Sequence, residues 1–442
     1  MPIIDFVSSD YDLPKKTTVA VIGAGIIGVS TALELAERGV SVVLLEKGIV
    51  AGEQSSRNWG WCRQMGRDAR EIPLIIESLK LWRGMNERVG AETGYRQSGI
   101  IYLAETEREL AEKEKWYADN VKAFGLETRL VSGAEADRLQ PGSTRKWKGA
   151  LFTSADGRAE PFLAVPAMAR HAQKLGVKIF QNCAVRGVET AAGKITSVVT
   201  EKGAIACEQV VLAGGAWSRR FLHNLGIEFP QLTVVGSVMR TAALDTGLEK
   251  TCSGGKFAFR KRLDGGYTVT HRHMSVADVV PDSFRLFFQF LPALKMDWNG
   301  LRLRLGKQFI DEARLKRRWK LDERSPFEEV RMLDPEPVHA ILDEAAASLR
   351  DYYPSFQSMQ IVERWAGAID ATPDTVPIIS PLPNIGGFFL ASGFSGHGFG
   401  LGPGAAKLMA QMIVGEQTCV DPAPFRYARY FDGSRPKPTT GP

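Results

Sequence analysis

The sharpest hydrophobic pattern in the chain is a short apolar run, Val19-Ala20-Val21-Ile22, followed by glycines and then by apolar residues at helical spacing. Such a run, bounded by turn residues, predicts a strand buried on both faces. The helical pattern covers 26–38 and stops at Gly39, and a second apolar run over 40–45 ends on Glu46. Strand, turn, helix and strand make one βαβ unit. Beyond it, 72–89 predicts an amphipathic helix with Ile75, Leu79, Leu81 and Trp82 near one face and Gly90 as its stop. The pattern then predicts a strand over 95–104, two charged surface helices within 105–139 broken near Gly125, and a strand over 147–153. Pro161 opens a helix that Gly176 ends. Strands follow over 177–188, 194–199 and 209–212, the last running directly into Ala213-Gly214-Gly215-Ala216-Trp217-Ser218. Period-two alternation over 231–240, 256–260 and 267–273, around the turn Asp264-Gly265-Gly266, predicts an antiparallel sheet. A final strand over 388–391 enters a glycine-rich turn, and Pro403 and Gly404 lead into an apolar helix over 405–414.

The class this implies is α/β, with a Rossmann-type parallel sheet and a separate mixed or antiparallel sheet. A chain of 442 residues, 44% hydrophobic, is long for one domain and suits two that share a cleft. The five cysteines are odd in number and lack C-x-x-C spacing, so neither a disulfide framework nor a zinc site is expected, and a reducing compartment fits. The six histidines form no metal-ligand cluster; His271 and His273 alone share a spacing, and i, i+2 is strand parity. The first sixteen residues lack a basic-then-apolar leader, and no run of about eighteen apolar residues occurs. A cytoplasmic protein, at most peripheral on the inner face of a membrane, is the expectation. The net charge of +6 suits an anionic cofactor, substrate or surface, and no nucleic-acid-reading motif accompanies it. Within 284–331 an aromatic stretch precedes Arg302, Arg304, Lys307, Arg314, Lys316, Arg317, Arg318 and Lys320. That tract reads either as a solvated helical pair or as a patch for an acidic membrane or an electron-accepting partner.

Candidate chemistry begins in the first turn. Gly23, Gly25 and Gly28 give G-x-G-x-x-G: Gly23 for the tight turn, Gly25 for backbone approach to a pyrophosphate, Gly28 for close packing of helix on strand. The helix starting at Ile26 and Ile27 aims its amides at phosphate, and Glu46, next to Lys47, can accept both hydroxyls of an unphosphorylated adenosine ribose. FAD or NAD is therefore expected over NADP. In the loop 48–68, Ser55, Ser56, Arg57 and Asn58 supply donors over a pyrophosphate, Gly60 permits approach to a flat ring, and Trp61 walls a pocket. The second glycine turn, with Ala213, Gly214 and Trp217, and Val185 on a preceding strand, favours FAD, which lies extended and takes backbone contacts from more than one crossover. A third turn, Gly393 with Gly396, His397, Gly398, Phe399 and Gly400, presents another helix start to the anionic N1–C2=O edge of a reduced flavin. On the substrate side, Tyr267 and His271 share a strand face with Val269 and His273.

Taken together, these turns, Glu46, the Ser55-Ser56-Arg57 loop and W-x-G…TPD…PII…SGFSGHGFGLGPG resemble the D-amino-acid oxidase (DAO) superfamily of FAD-dependent oxidoreductases, which includes glycine and sarcosine oxidases and D-amino-acid dehydrogenases. The resemblance implies a glutathione-reductase-like FAD domain from 16–94, 155–227 and 360–425. It also implies a substrate domain from 95–154 and 228–359, with a basic helical insertion near 284–331. The implied reaction passes a hydride from an amine-bearing carbon to flavin N5, leaving an imine that water hydrolyses to a keto acid or aldehyde. Two departures matter. Several amino-acid oxidases of the family carry a carboxylate-binding arginine just after W-x-G, where this chain has Ile369; Asp370 beside it suggests a cationic group, and Arg63, Arg260 and Arg364 become the candidate clamps. Sarcosine-oxidase-like members carry an oxygen-activating lysine on a strand where 267–273 has none, so a dehydrogenase serving a quinone or carrier stands beside an oxidase using oxygen. No cysteine matches that branch's flavin link, so non-covalent FAD is expected. Catalytic candidates are Tyr267, His271, Arg63 and Arg364. The alternatives are a 2-hydroxy-acid dehydrogenase of the same fold and a non-catalytic flavin-binding subunit of a larger complex.

Overall fold

The computed structural model describes residues 3–434 and 436–439. Its first sheet has the strand order Ile378–Pro381, Phe388–Ser392, Gly203–Leu212, Lys16–Ile22, Val42–Leu45, Lys178–Phe180. The strands Lys16–Ile22, Val42–Leu45, Lys178–Phe180, Gly203–Leu212 and Phe388–Ser392 run parallel, so both sheet faces need helical cover. The helix Ile26–Glu37 supplies it on one face, packing against Gly398–Val414. The chain leaves the Lys16–Ile22, Gly203–Leu212 and Phe388–Ser392 strands at the same sheet edge, which brings the three glycine turns together.

The last helix begins at Gly398 and encloses Pro403, whereas the sequence pattern places its start at 405. Proline breaks the ladder because it lacks an amide hydrogen. The neighbouring helix Ile72–Arg83 mends the break: Ser78 Oγ donates to the Gly400 carbonyl at 2.6 Å and accepts from the Gly404 amide at 3.0 Å, and Trp82 Nε1 donates to the same carbonyl at 3.0 Å. The helix therefore survives its proline and reaches the cavity seven residues earlier than its apolar pattern indicates.

The second sheet contains ten strands and is largely antiparallel, with Leu232–Thr241 near its centre, paired to Tyr267–His271 on one side and Ile361–Ala371 on the other. Helix His339–Tyr352 covers it, over a core with Met239, Phe257, Phe259, Tyr267 and Val269. Other boundaries differ from the sequence pattern, among them that the run expected as one strand over 177–188 is two, Lys178–Phe180 and Val185–Ala191. Gly84 divides 72–89 into Ile72–Arg83 and Met85–Val89, the strand expected over 95–104 is Ile100–Ala104, and a strand Thr128–Ser132 separates helices Glu107–Phe124 and Gly133–Leu139. The basic tract is not purely helical: Pro281–Arg285 and Phe287–Met296 precede a strand, Leu301–Arg304, that extends the sheet beside Ser275–Asp278 before helix Lys307–Arg314. Among the described residues, no helix is long and apolar enough to cross a membrane.

Candidate active site

A cavity of about 550 Å³ runs from the glycine turns of the first sheet to the inner face of the second. At one end Gly23 turns with φ +101°, and a β-carbon there would lie 2.4 Å from the Ala213 carbonyl oxygen; one at Gly28 would lie 1.8 Å from the Gly23 oxygen. The first and second turns are thus locked against each other by the absence of side chains. Glu46 Oε2 accepts from the Ala24 amide at 2.8 Å and Oε1 from the Gly48 amide at 2.7 Å, which aims the carboxylate along the cavity edge. Burial raises the Glu46 pKa, with Lys47 and the two amides pulling the other way. Lys47 pairs with Glu53 at 2.6 Å and lies 4.6 Å from the Trp217 ring centre.

The short helix Gln54–Arg57 crosses the start of the first long helix. Ser55 Oγ accepts from the Ile26 amide at 2.8 Å, leaving its own hydroxyl hydrogen to donate onward. Arg57 is buried, pairs with Asp334, and donates to the carbonyls of Ala366 at 3.0 Å and Gly52 at 3.2 Å, while its Nε has no partner.

At the third turn the start of Gly398–Val414 faces the cavity, backed by His397, whose Nδ1 lies 3.0 Å from buried Glu71. Burial lowers the His397 pKa to about 4, so the ring is neutral near pH 7. Arg67, also buried, comes within 3.8 Å of Glu71; desolvation, then Arg63, lowers its pKa to about 10, so it stays charged. Asp156 holds the Arg63 loop by accepting from the Gln64 amide at 2.8 Å, and burial raises its pKa to about 7.

The second sheet contributes Gly236, Ser237, Thr270, Arg272 and Gly367, and helix Glu107–Phe124 contributes Lys113. Arg272 pairs with Glu109 at 2.7 Å and donates from Nε to His273 Nε2 at 2.5 Å, yet its NH1 is buried with no partner. A buried guanidinium hydrogen left unpaired is costly unless a ligand meets it.

This donor set fits FAD: a helix start and a hydroxyl for pyrophosphate, a carboxylate for ribose, glycines where backbone must approach, and a second helix start farther along. Comparison with known proteins agrees. The family profile described as FAD dependent oxidoreductase (DAO) matches residues 18–412.

The chain belongs to that family.

Among its relatives, a glycine oxidase from Pseudomonas aeruginosa is 25% identical over 417 residues, covering 92% of this chain and 97% of the relative. A sarcosine oxidase subunit beta from an Arthrobacter species is 25% identical over 429 residues, covering 95% and 93%. Of solved structures, the L-amino acid deaminase from Proteus myxofaciens, in complex with anthranilate, is 36% identical with a TM-score of 0.93, covering 97% of this chain and 96% of that one.

Of the sequence-predicted residues of this flavoenzyme, Gly23, Gly25, Ile26, Ile27, Glu46, Lys47, Ser55, Arg57, Asn58, Trp61, Val185, Ala213, Gly214, Trp217, Gly396, His397, Gly398 and Phe399 line the cavity, as do Arg63 and His271. Gly28, Ser56, Gly60, Gly393 and Gly400 stand behind that lining. Gly60 turns with φ +74° against the Ala159 carbonyl and Arg260, and Gly400 packs on Trp61 and Arg67.

Three substrate-side expectations are corrected. Tyr267 points into the core under helix His339–Tyr352, its hydroxyl donating to the Leu248 carbonyl at 3.0 Å. Arg364 faces outward, pairing with Asp343 at 2.5 Å. Arg260 is buried against Glu160 at 2.8 Å and does not line the cavity. Asp370 lines the cavity as well; its Oδ2 accepts from the Gly393 amide at 2.7 Å and from Ser392 and Gln231, and burial raises its pKa to about 6. The sequence reading passed over Arg67, Tyr102, Lys113, Thr270 and Arg272, all of which line the cavity. Strand alternation carried a signal for the last two, since 268, 270 and 272 form the other face of the strand on which Tyr267 lies.

Proposed function

We propose that this FAD-dependent oxidoreductase oxidises the C–N bond of an α-amino acid whose carboxylate is held by Arg272. The observation that carries the reading is Arg272 in the lining of a cavity that fits FAD, a guanidinium whose NH1 is buried and meets no partner among the described residues. The 36% identity to an L-amino acid deaminase supports it. The Gly23–Gly25 turn, Glu46, Ser55 and the start of Gly398–Val414 would hold FAD non-covalently, and the bound group would supply the two-electron oxidation in which the α-carbon loses a hydride and the nitrogen a proton. Water then converts the imine to an oxo acid and ammonia. The protein's own work is to orient the carboxylate, exclude water with Trp61 and Tyr102, and keep the amine neutral. Arg63, Arg67 and Arg272 favour that neutral form, since each cation nearby disfavours an ammonium. The cofactor unit on this reading is 16–94, 155–227 and 360–425, with 95–154 and 228–359 on the substrate side.

The electrons leave to oxygen or to a quinone or carrier. Exposed Phe284, Phe288, Trp298 and Leu305 stand among Arg302, Arg304 and Lys307 on the basic tract, and this favours peripheral contact with an anionic membrane. Replacing Phe288 and Trp298 by Ser should abolish sedimentation with anionic vesicles; unchanged sedimentation removes the contact.

The deciding experiment for the reaction is an anaerobic spectrum of the yellow holoenzyme before and after adding D-amino, L-amino, N-methyl and 2-hydroxy acids in turn. Bleaching by an amino acid, with ammonia and an oxo acid formed in equal amounts, is the expected result. Bleaching by hydroxy acids alone, or by nothing, overturns it, and the speed of reoxidation in air sorts oxidase from dehydrogenase.

A further inference from the structure

Helix Glu107–Phe124 places Glu109 and Lys113 on one face, one turn apart. Glu109 is committed to Arg272 at 2.7 Å. Lys113 lines the same cavity, yet its ammonium reaches only the Glu109 carbonyl of its own helix, at 3.4 Å, and it forms no ion pair among the described residues. Glu112 beside it is exposed and pairs with Arg108 instead, at 3.4 Å. Arg63, also in the lining, forms no ion pair among the described residues; it donates to the Met65 carbonyl and lies 5.8 Å from the Tyr102 ring centre. Arg63, Arg67, Lys113 and Arg272 thus line the cavity together, with Glu112 and Asp297 as carboxylates of the same lining. Partly desolvated cations brought together repel one another, and an anion offsets that cost where water cannot.

On the amino-acid reading, an amino acid with one carboxylate is held by Arg272 alone. Four residues of helix, a rise of about 6 Å, separate the backbone of Lys113 from that of Glu109. Two carboxylates joined through two or three saturated carbons span a comparable distance.

Building on the amino-acid reading above, we propose that the substrate carries a second carboxylate on its side chain, held by Lys113 while Arg272 holds the α-carboxylate. Lys113 is then the residue that selects acidic amino acids over their amides. Nothing in the reaction balance changes, because the second carboxylate takes no part in hydride or proton transfer.

The test compares glutamate with glutamine, and aspartate with asparagine, both enantiomers of each, as anaerobic reductants of the holoenzyme. Alongside, glutarate and butyrate are titrated against the flavin spectrum, which reads binding without turnover. The acid should be favoured over its amide by roughly tenfold or more, and glutarate should bind tighter than butyrate by a similar factor. In Lys113→Met both ratios should fall to within about twofold, and in Lys113→Arg both should persist, with flavin content unchanged in each. Reduction by the amides as fast as by the acids, or ratios that survive in Lys113→Met, overturns the proposal while leaving amino-acid oxidation standing. Failure of every amino acid to bleach the flavin overturns both.

Discussion

At the Glu46 end of the cavity the ligand-facing groups are largely main-chain amides, glycines and one carboxylate of the βαβ unit over 19–46, joined by Ser55 and the second glycine turn. At the Arg272 end they are long side chains brought together from strand Tyr267–His271, helix Glu107–Phe124 and the loop at Arg63. The first end is fixed by backbone conformation, which neighbouring residues in sequence determine. The second is fixed by which face of a strand is covered, and that depends on helix His339–Tyr352, some seventy residues away. Changes at the first end should therefore act on cofactor retention, and changes at the second on substrate alone.

The largest effect should come from Gly23→Val. The residue sits at φ +101° with its β-carbon position 2.4 Å from the Ala213 oxygen, so a branched side chain costs about 3 kcal/mol or more and separates two of the three turns. The purified variant should be colourless and should melt earlier; retained FAD breaks the comparison at its firmer end. Arg272→Met comes next: losing a buried charge-assisted clamp costs about 3 kcal/mol, a fall in kcat/KM of roughly a hundredfold, while flavin content stays full. A loss of FAD in this variant would mean that the two ends are not separable. Glu46→Gln should weaken FAD by roughly tenfold, read by fluorescence titration of apoprotein, and leave substrate KM alone.

A pH series sharpens the second end. Burial, reinforced by Arg272, lowers the Lys113 pKa to about 8, so the ammonium is charged below that value and lost above it. Glutarate affinity should therefore decline by several-fold from pH 7 to pH 9, with butyrate affinity level. Glu109, whose pKa Arg272 holds down, stays ionised across that window, and His273, lowered to about 4 by burial and then Arg272, stays neutral. A glutarate titration flat in pH would count against Lys113 as the second contact.

The contrast explains what could be read from the residues alone. The G-x-G-x-x-G turn, Glu46 and the second glycine turn were legible because glycine and a strand-end carboxylate have few other reasons to occur at those spacings. The start of Gly398–Val414 was not, because Pro403 signals a boundary and the repair lies on another helix, at Ser78 and Trp82. Strand 267–271 was legible as a strand but not in its facing. All its residues are buried, so hydrophobicity does not mark the ligand side: Tyr267 packs into the core, while His271 at the strand end lines the cavity. Arg272 lies at the end of that strand, in a position that reads as a solvated arginine until Glu109 and Lys113 are seen beside it.

Tyr267→Phe is the mildest change and the most direct check on that facing. The hydroxyl donates to the Leu248 carbonyl and is within 2.5 Å of Thr246 Oγ1, and the ring packs edge-on against Phe356 at 4.9 Å between centroids. Removing the oxygen keeps the ring packing and gives up hydrogen bonds in a buried setting, a loss of about 1 kcal/mol in unfolding free energy. Because the side chain lies on the far face of the sheet from Thr270 and Arg272, kcat, KM and flavin content should all stay within about twofold of the parent. A tenfold fall in kcat with stability unchanged would return Tyr267 to the substrate and reverse the assignment of the two faces.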